Sequence, residues 1–171
     1  MAKKISLREF QENLSKRLTS AKAGKASRAL LGVQAGREHW LLDLSESGEI
    51  IPLPPLTSVP LTKPWFCGLA NVRGTLFSVV DFSAFQGEET TPQNADSRLL
   101  LVGSKLGINS ALLVNRTLGL RNIEQLESRH TTADQRPWVG EQFTDAQGRD
   151  WKRLNVRTLL SQANFLDIGM S

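Results

Sequence analysis

Residues 60–82 read Pro60-Leu61-Thr62-Lys63-Pro64-Trp65-Phe66-Cys67-Gly68-Leu69-Ala70-Asn71-Val72-Arg73-Gly74-Thr75-Leu76-Phe77-Ser78-Val79-Val80-Asp81-Phe82. Two short apolar runs, Phe66–Val72 and Thr75–Val80, flank Arg73-Gly74, which is the grammar of a hairpin. Gly74 permits the positive φ that a tight turn demands, and the Asn71 side chain can bond its own neighbouring backbone. Arg73 places an always-ionised fork beside an apolar hairpin, either as a tie to backbone carbonyls or as the charged anchor of an interface, and the two roles are compatible. Cys67, in an apolar strand before Gly68, is expected to be a small core hydrophobe.

The same period extends on both sides. Ala29–Val33, Trp40–Leu44 after a Gly36-Arg37 turn, and Ile50–Leu53 after Ser47-Gly48 precede the hairpin. Leu99–Val102 and Ser110–Val114, joined across Leu106-Gly107, then Leu120–Leu126, and Trp138–Phe143 paired with Asp150–Leu154 follow it. About nine or ten short strands exceed one small flat sheet and predict a mostly β fold of barrel or sandwich type. Pro52, Pro54, Pro55, Pro60 and Pro64 remove backbone donors, so that stretch is expected to cross as irregular chain. Asn155 is placed to cap a last short helix, Val156–Ala163.

The N-terminal segment has a different period. Ser6 and Glu9 form a capping box, Ile5 and Phe10 a hydrophobic staple, and Leu7, Phe10, Leu14 and Leu18 share one helical face that ends near Gly24. This amphipathic helix is expected to dock on the body of the same molecule. Residues 1–37 hold nine Lys or Arg against Glu9 and Glu12, whereas the whole chain has a net charge of only +4. Such a leader suits an acidic partner protein, an anionic membrane surface or a solvated face; a basic β-barrel binding nucleic acid through Lys3–Arg37 is the alternative from another class.

The chain has 171 residues, 40% of them hydrophobic and 22% charged, which suits one soluble domain with an appended segment. No apolar run is long enough to cross a bilayer as a helix, and the basic start lacks a signal-peptide core. A lone cysteine and two histidines argue against disulfides and zinc, so a cytoplasmic setting is expected. Catalytic patterns are missing. There is no Walker loop and no G-x-G-x-x-G, His39 and His130 read as solvated surface residues, and Asp145 and Asp150 flank a predicted turn rather than form an acid–base pair. A small hydrolase is the weakest reading.

The hairpin segment resembles the CheW-like coupling domain of bacterial chemosensory systems, with its G-[VL]-x-N-x-R-G element and an apolar strand ending V-[IV]-D-[LF]. Ile51–Val59 is similar to that family's proline-bearing approach, Arg98–Val102 with Ala111–Asn115 to a later hairpin, and Val139-Gly140 with Trp151–Leu160 to the closing strand and terminal helix. The resemblance covers residues 28 to 165 and divides the chain into an N-terminal helical extension (1–28) and the coupling domain (29–167). It implies two small five-stranded β-barrels sharing a core, with no catalytic site and no cofactor or metal. It further implies two partners, the regulatory domain of a CheA-like histidine kinase and the cytoplasmic tip of a methyl-accepting chemoreceptor. Within the family, the leader and the hairpin run look most like adaptors of the twitching-motility pathway that governs type IV pili. By motif position, Asn71, Arg73 and Gly74 fall in the receptor-facing element, with Leu69 and Val72 in the same run and Leu56 and Val59 beside it. Ser58, Ser78 and Ser83 depart from the family's acid, proline and arginine.

Overall fold

The computed structural model describes residues 29–43, 45, 47–103, 107–129, 134–166 and 169. The expected leader helix and His130 lie outside them. Among the described residues eleven strands are formed: β1 (Ala29–Ala35), β2 (Glu38–Leu42), β3 (Ser47–Pro52), β4 (Phe66–Val72), β5 (Thr75–Asp81), β6 (Arg98–Val102), β7 (Ser110–Val114), β8 (Arg116–Asn122), β9 (Glu127–Arg129), β10 (Val139–Thr144) and β11 (Asp150–Leu154). They make a six-stranded sheet, order β8-β1-β2-β11-β10-β9, and a five-stranded sheet, order β3-β6-β7-β5-β4. Both are mixed. Each contains one parallel pair, β2 with β11 and β5 with β7, among antiparallel neighbours.

Period-2 alternation sorts the apolar side chains into separate cores. Leu99 and Leu101 of β6 join Ala111 and Leu113 of β7, Phe77 and Val79 of β5 and Ala70 of β4 in a cluster on one face of the five-stranded sheet. Their alternates Leu100, Val102, Leu112, Val114 and Val80 turn to a second cluster, shared with Leu31, Val33, Trp40 and Leu42 of the other sheet. On the far face of that sheet, Leu30, Leu41, Phe143 and Trp151 form a third. Burial on both faces explains why β6 and β7 read as unbroken apolar runs. The five-stranded sheet curls around its own cluster: β3 and β4 are its opposite edges, yet Glu49 on β3 ion-pairs with Arg73 at the end of β4.

Several expectations are corrected. One sheet has six strands rather than five, because the polar run Glu127–Arg129 pairs with β10. The strand expected at Leu120–Leu126 runs earlier, as β8, and ends where Asn122 caps a 3₁₀ turn, Ile123–Gln125. Ser47-Gly48 lies inside β3 rather than in a turn; the bend sits nearer Ser45, whose N–H donates to Asp43 Oδ1 at 2.9 Å. The terminal helix splits into α2 (Val156–Leu160) and α3 (Ala163–Leu166), with Ser161 between them donating to the Thr158 carbonyl. A one-turn helix, α1 (Phe82–Phe85), follows β5 and is capped by Asp81. His39 is half-buried, edge-on to Trp151 at 5.3 Å between centroids, rather than a solvated side chain.

A polar knot ties the six-stranded sheet to the end of α1. The Arg136 guanidinium donates to both Glu38 oxygens (2.7 and 2.8 Å), to Asp134 and to Gln86, and stacks over Trp40; Lys152 also reaches Glu38 at 3.0 Å. The Arg136 hydrogen bond holds the Asp134 carboxyl at about 2, below its ordinary 3.8. Burial pushes the Glu38 carboxyl up, but Arg136 and Lys152 outweigh it and leave it lowered. Carboxylates depressed on folding contribute stability above their unfolded values and lose it as they protonate. An Arg136→Met variant is therefore expected to be less stable than the parent at neutral pH, with the gap narrowing as pH falls from about 4 toward 2. Urea midpoints against pH for both proteins check this; a pH-independent gap contradicts it.

Candidate protein-binding surface

The hairpin turn is fixed by local chemistry. Arg73 (φ 50°) and Gly74 (φ 88°) both sit in the left-handed region, the pairing that a two-residue turn between twisted strands needs. The Asn71 side-chain oxygen accepts from the Gly74 N–H at 2.9 Å. Here a non-glycine residue carries positive φ, so the turn holds the Arg73 side chain outward at the cost of some backbone strain.

Farther back on β4, Gly68 has φ 122°, and a Cβ placed there would stand 2.2 Å from the Thr57 carbonyl oxygen. That close approach lets the proline-rich chain lie along the outer edge of β4. Thr57 and Leu69 exchange two backbone hydrogen bonds of 2.8 Å. The segment is otherwise irregular, as its prolines require.

These two devices bring the seven residues singled out by sequence to one edge of the five-stranded sheet, in two kinds of environment. Leu56 and Val72 are half-buried against that sheet's own cluster, and Val59 and Leu69 against the shared one. They support the edge. Asn71, Arg73 and Gly74 are exposed on it. The Arg73 guanidinium grips Glu49 two-pronged, at 2.9 and 2.5 Å, with its side chain 70% accessible. The bond lowers the Glu49 carboxyl. A pair this exposed is screened and readily exchanged for another acidic partner.

Sequence reasoning missed two members. Leu76, paired across from Asn71, is 57% exposed. Its signal was available, because Phe77 and Val79 take the inward phase of β5 and leave Leu76 on the outward one. Glu49 had no local signal, being 24 residues from Arg73.

The remaining reactive groups are occupied structurally. Burial pushes the half-buried Cys67 thiol up to about 12, leaving it a weak nucleophile. Asp145 accepts the Trp151 indole N–H and the turn amides of Gln147 and Arg149, and Asp150 sits at the start of β11. Among the described residues no group of three His, Cys, Asp or Glu is placed to hold a metal ion, and no helix is long and apolar enough to cross a membrane.

Comparison with known proteins places this architecture. The family model of the CheW-like domain matches residues 29–164. The chain is 28% identical over 146 residues to protein PilI of Pseudomonas aeruginosa, covering 82% of this chain and 79% of that protein. The crystal structure of the scaffolding protein TtCheW from Thermoanaerobacter tengcongensis superposes with a TM-score of 0.67 at 20% identity, over 83% of this chain and 97% of that one. Two mixed sheets with this topology, a hairpin carrying Asn71-Val72-Arg73-Gly74 and a match across most of the chain make it a non-catalytic member of the CheW-like domain family.

Proposed function

We propose that the chain is an adaptor that couples a methyl-accepting chemoreceptor to a CheA-like histidine kinase, in a system controlling type IV pili and twitching motility. The observation that carries this reading is the exposed, outward-held Asn71-Val72-Arg73-Gly74 turn on a rigid edge, in a chain whose family supplies scaffolds. Likeness to PilI supports the pilus assignment. Residues 29–167 act as the coupling domain in the cytoplasm and residues 1–28 as an extension. The two sheets serve as two barrels, one rigid body with two faces. Leu56, Val59, Leu69 and Val72 shape the receptor-facing edge, while Asn71, Arg73 and Gly74 make the contact. Two modest interfaces on such a body raise the local concentration of kinase at the receptor, and binding rather than bond making is the whole activity.

An Arg73→Glu variant reverses the charge at the turn and sets it against Glu49. It is expected to weaken receptor-tip binding about tenfold while leaving the melting curve near that of the parent. Calorimetric titration with a receptor tip fragment, alongside kinase activity in reconstituted receptor membranes, checks both. A folded variant with undiminished binding and kinase control contradicts the role given to Arg73.

A further inference from the structure

A singly exposed leucine is ordinary on a folded surface, so its position, not its exposure, decides whether it has a role. Among the described residues the exposed large hydrophobics are Leu61, Leu76, Leu120 and Leu166, and Leu76 is the one that stands inside the candidate surface. It faces Asn71 across the β4–β5 ladder, one pair back from the Val72–Thr75 pair that closes the turn. Period-2 alternation puts Leu69 and Asn71 of β4 on the same side of the sheet as Leu76, Ser78 and Val80 of β5. Along β5 this row starts in the shared core, where Val80 is 1% exposed, and ends in solvent at Leu76, 57% exposed. Leu69, half-buried opposite Ser78, continues the apolar strip beside it.

A cation stands next to that strip. Arg73 lies two residues past Asn71, about 7 Å along the chain. Its partner Glu49 is itself 41% accessible, so a carboxylate from another molecule can take the place of Glu49. The run Leu69–Ser78 contains no acidic residue to compete for it. The surface therefore offers one aliphatic group and one exchangeable guanidinium side by side, and its complement is an apolar side chain next to a carboxylate. Helical spacing of three or four residues sets two such side chains about 5–6 Å apart, a separation that the long arginine side chain accommodates.

We propose that Leu76 is the apolar anchor of the partner contact, and that Leu76 and Arg73 together select a partner helix carrying an apolar residue and an Asp or Glu three or four positions apart. This rests on the adaptor reading, in which that helix belongs to the receptor tip. Leu76 supplies affinity by being buried in the complex, and Arg73 fixes the register by pairing with the acid.

The test titrates a chemoreceptor tip fragment into the full chain and its Leu76→Thr, Leu76→Met and Arg73→Gln variants, at about 0.05 and about 0.5 M salt. Urea midpoints of the Leu76 variants are expected to match the parent, as suits so exposed a position, which separates lost binding from lost folding. Leu76→Thr is expected to bind about tenfold more weakly, and Leu76→Met within about twofold of the parent, because methionine keeps the apolar surface. Raising the salt is expected to weaken the parent and Leu76→Thr by the same factor and to leave Arg73→Gln nearly unchanged, since the charge pair is made by Arg73 alone. A Leu76→Thr variant that binds as the parent does, or that loses its salt dependence as Arg73→Gln does, overturns the anchor and leaves the adaptor reading standing. If the parent chain itself binds no tip fragment, the adaptor reading fails and the anchor fails with it.

Discussion

A Gly68→Ala variant is expected to lose about 3 kcal/mol of stability and to melt about 10 °C lower than the parent. Two effects act together. The φ of 122° is one that side-chain-bearing residues rarely adopt, and the new Cβ would stand 2.2 Å from the Thr57 carbonyl oxygen and 2.9 Å from its carbon. These are backbone atoms, so the clash is not relieved by rotating a side chain. The proline-rich segment must lift from β4, breaking the paired hydrogen bonds between Thr57 and Leu69 and withdrawing Leu56 and Val59 from their clusters. Because those residues shape the candidate edge, partner binding should fall along with stability. Thermal unfolding by circular dichroism checks the first effect; a melt within about 1 °C of the parent contradicts the packing described.

The second large effect is expected at Asp81. Its carboxylate is buried and satisfies three donors: the Thr91 N–H at 2.7 Å, the Thr91 hydroxyl at 2.6 Å and the Ala84 N–H at 3.2 Å. One side chain therefore caps α1 and anchors the polar loop that leads to β6. Asp81→Ala leaves those donors without a partner in a dry site, at a cost of about 3–4 kcal/mol. Asp81→Asn keeps one oxygen as acceptor and should lose less. Urea midpoints rank the three proteins, and hydrogen exchange should show early opening confined to residues 84–97 in the alanine variant. Equal midpoints for Ala and Asn would mean that charge, and not the number of accepted bonds, holds the loop.

Asp81 also illustrates what was legible in the sequence. It was visible as the end of an apolar strand, but the helix it caps was not, since a four-residue turn has no periodicity and exists because this carboxylate accepts its amide. Strands β4, β7 and β11 have the bounds read from sequence, each an apolar run set off by turn residues. Strand β9 was hidden for the opposite reason. Glu127-Ser128-Arg129 has no apolar phase and is a strand through its pairing with β10. The candidate site divides along the same line. Arg73 and Gly74 were legible because the turn is local, and Asn71 because its bond spans three residues. That Gly68 must be glycine depends on a carbonyl eleven positions earlier in the chain, and the hold of Glu49 on Arg73 depends on the curl of a whole sheet. Neither constraint has a local signature.

The alternative reading, a basic barrel for nucleic acid, places its charges in Lys3–Arg37, mostly ahead of the described fold. It predicts affinity that collapses as salt rises. The adaptor reading predicts no nucleic-acid affinity of consequence at physiological ionic strength. The most direct test is light scattering on gel-filtered mixtures of the full chain, a CheA-like kinase regulatory domain and a receptor tip fragment at physiological ionic strength. The account predicts a complex containing all three, with each pair also associating through this chain and the kinase and receptor fragments remaining apart without it. If the chain joins neither fragment, yet shifts a nucleic-acid probe in a salt-dependent manner, the adaptor reading is contradicted.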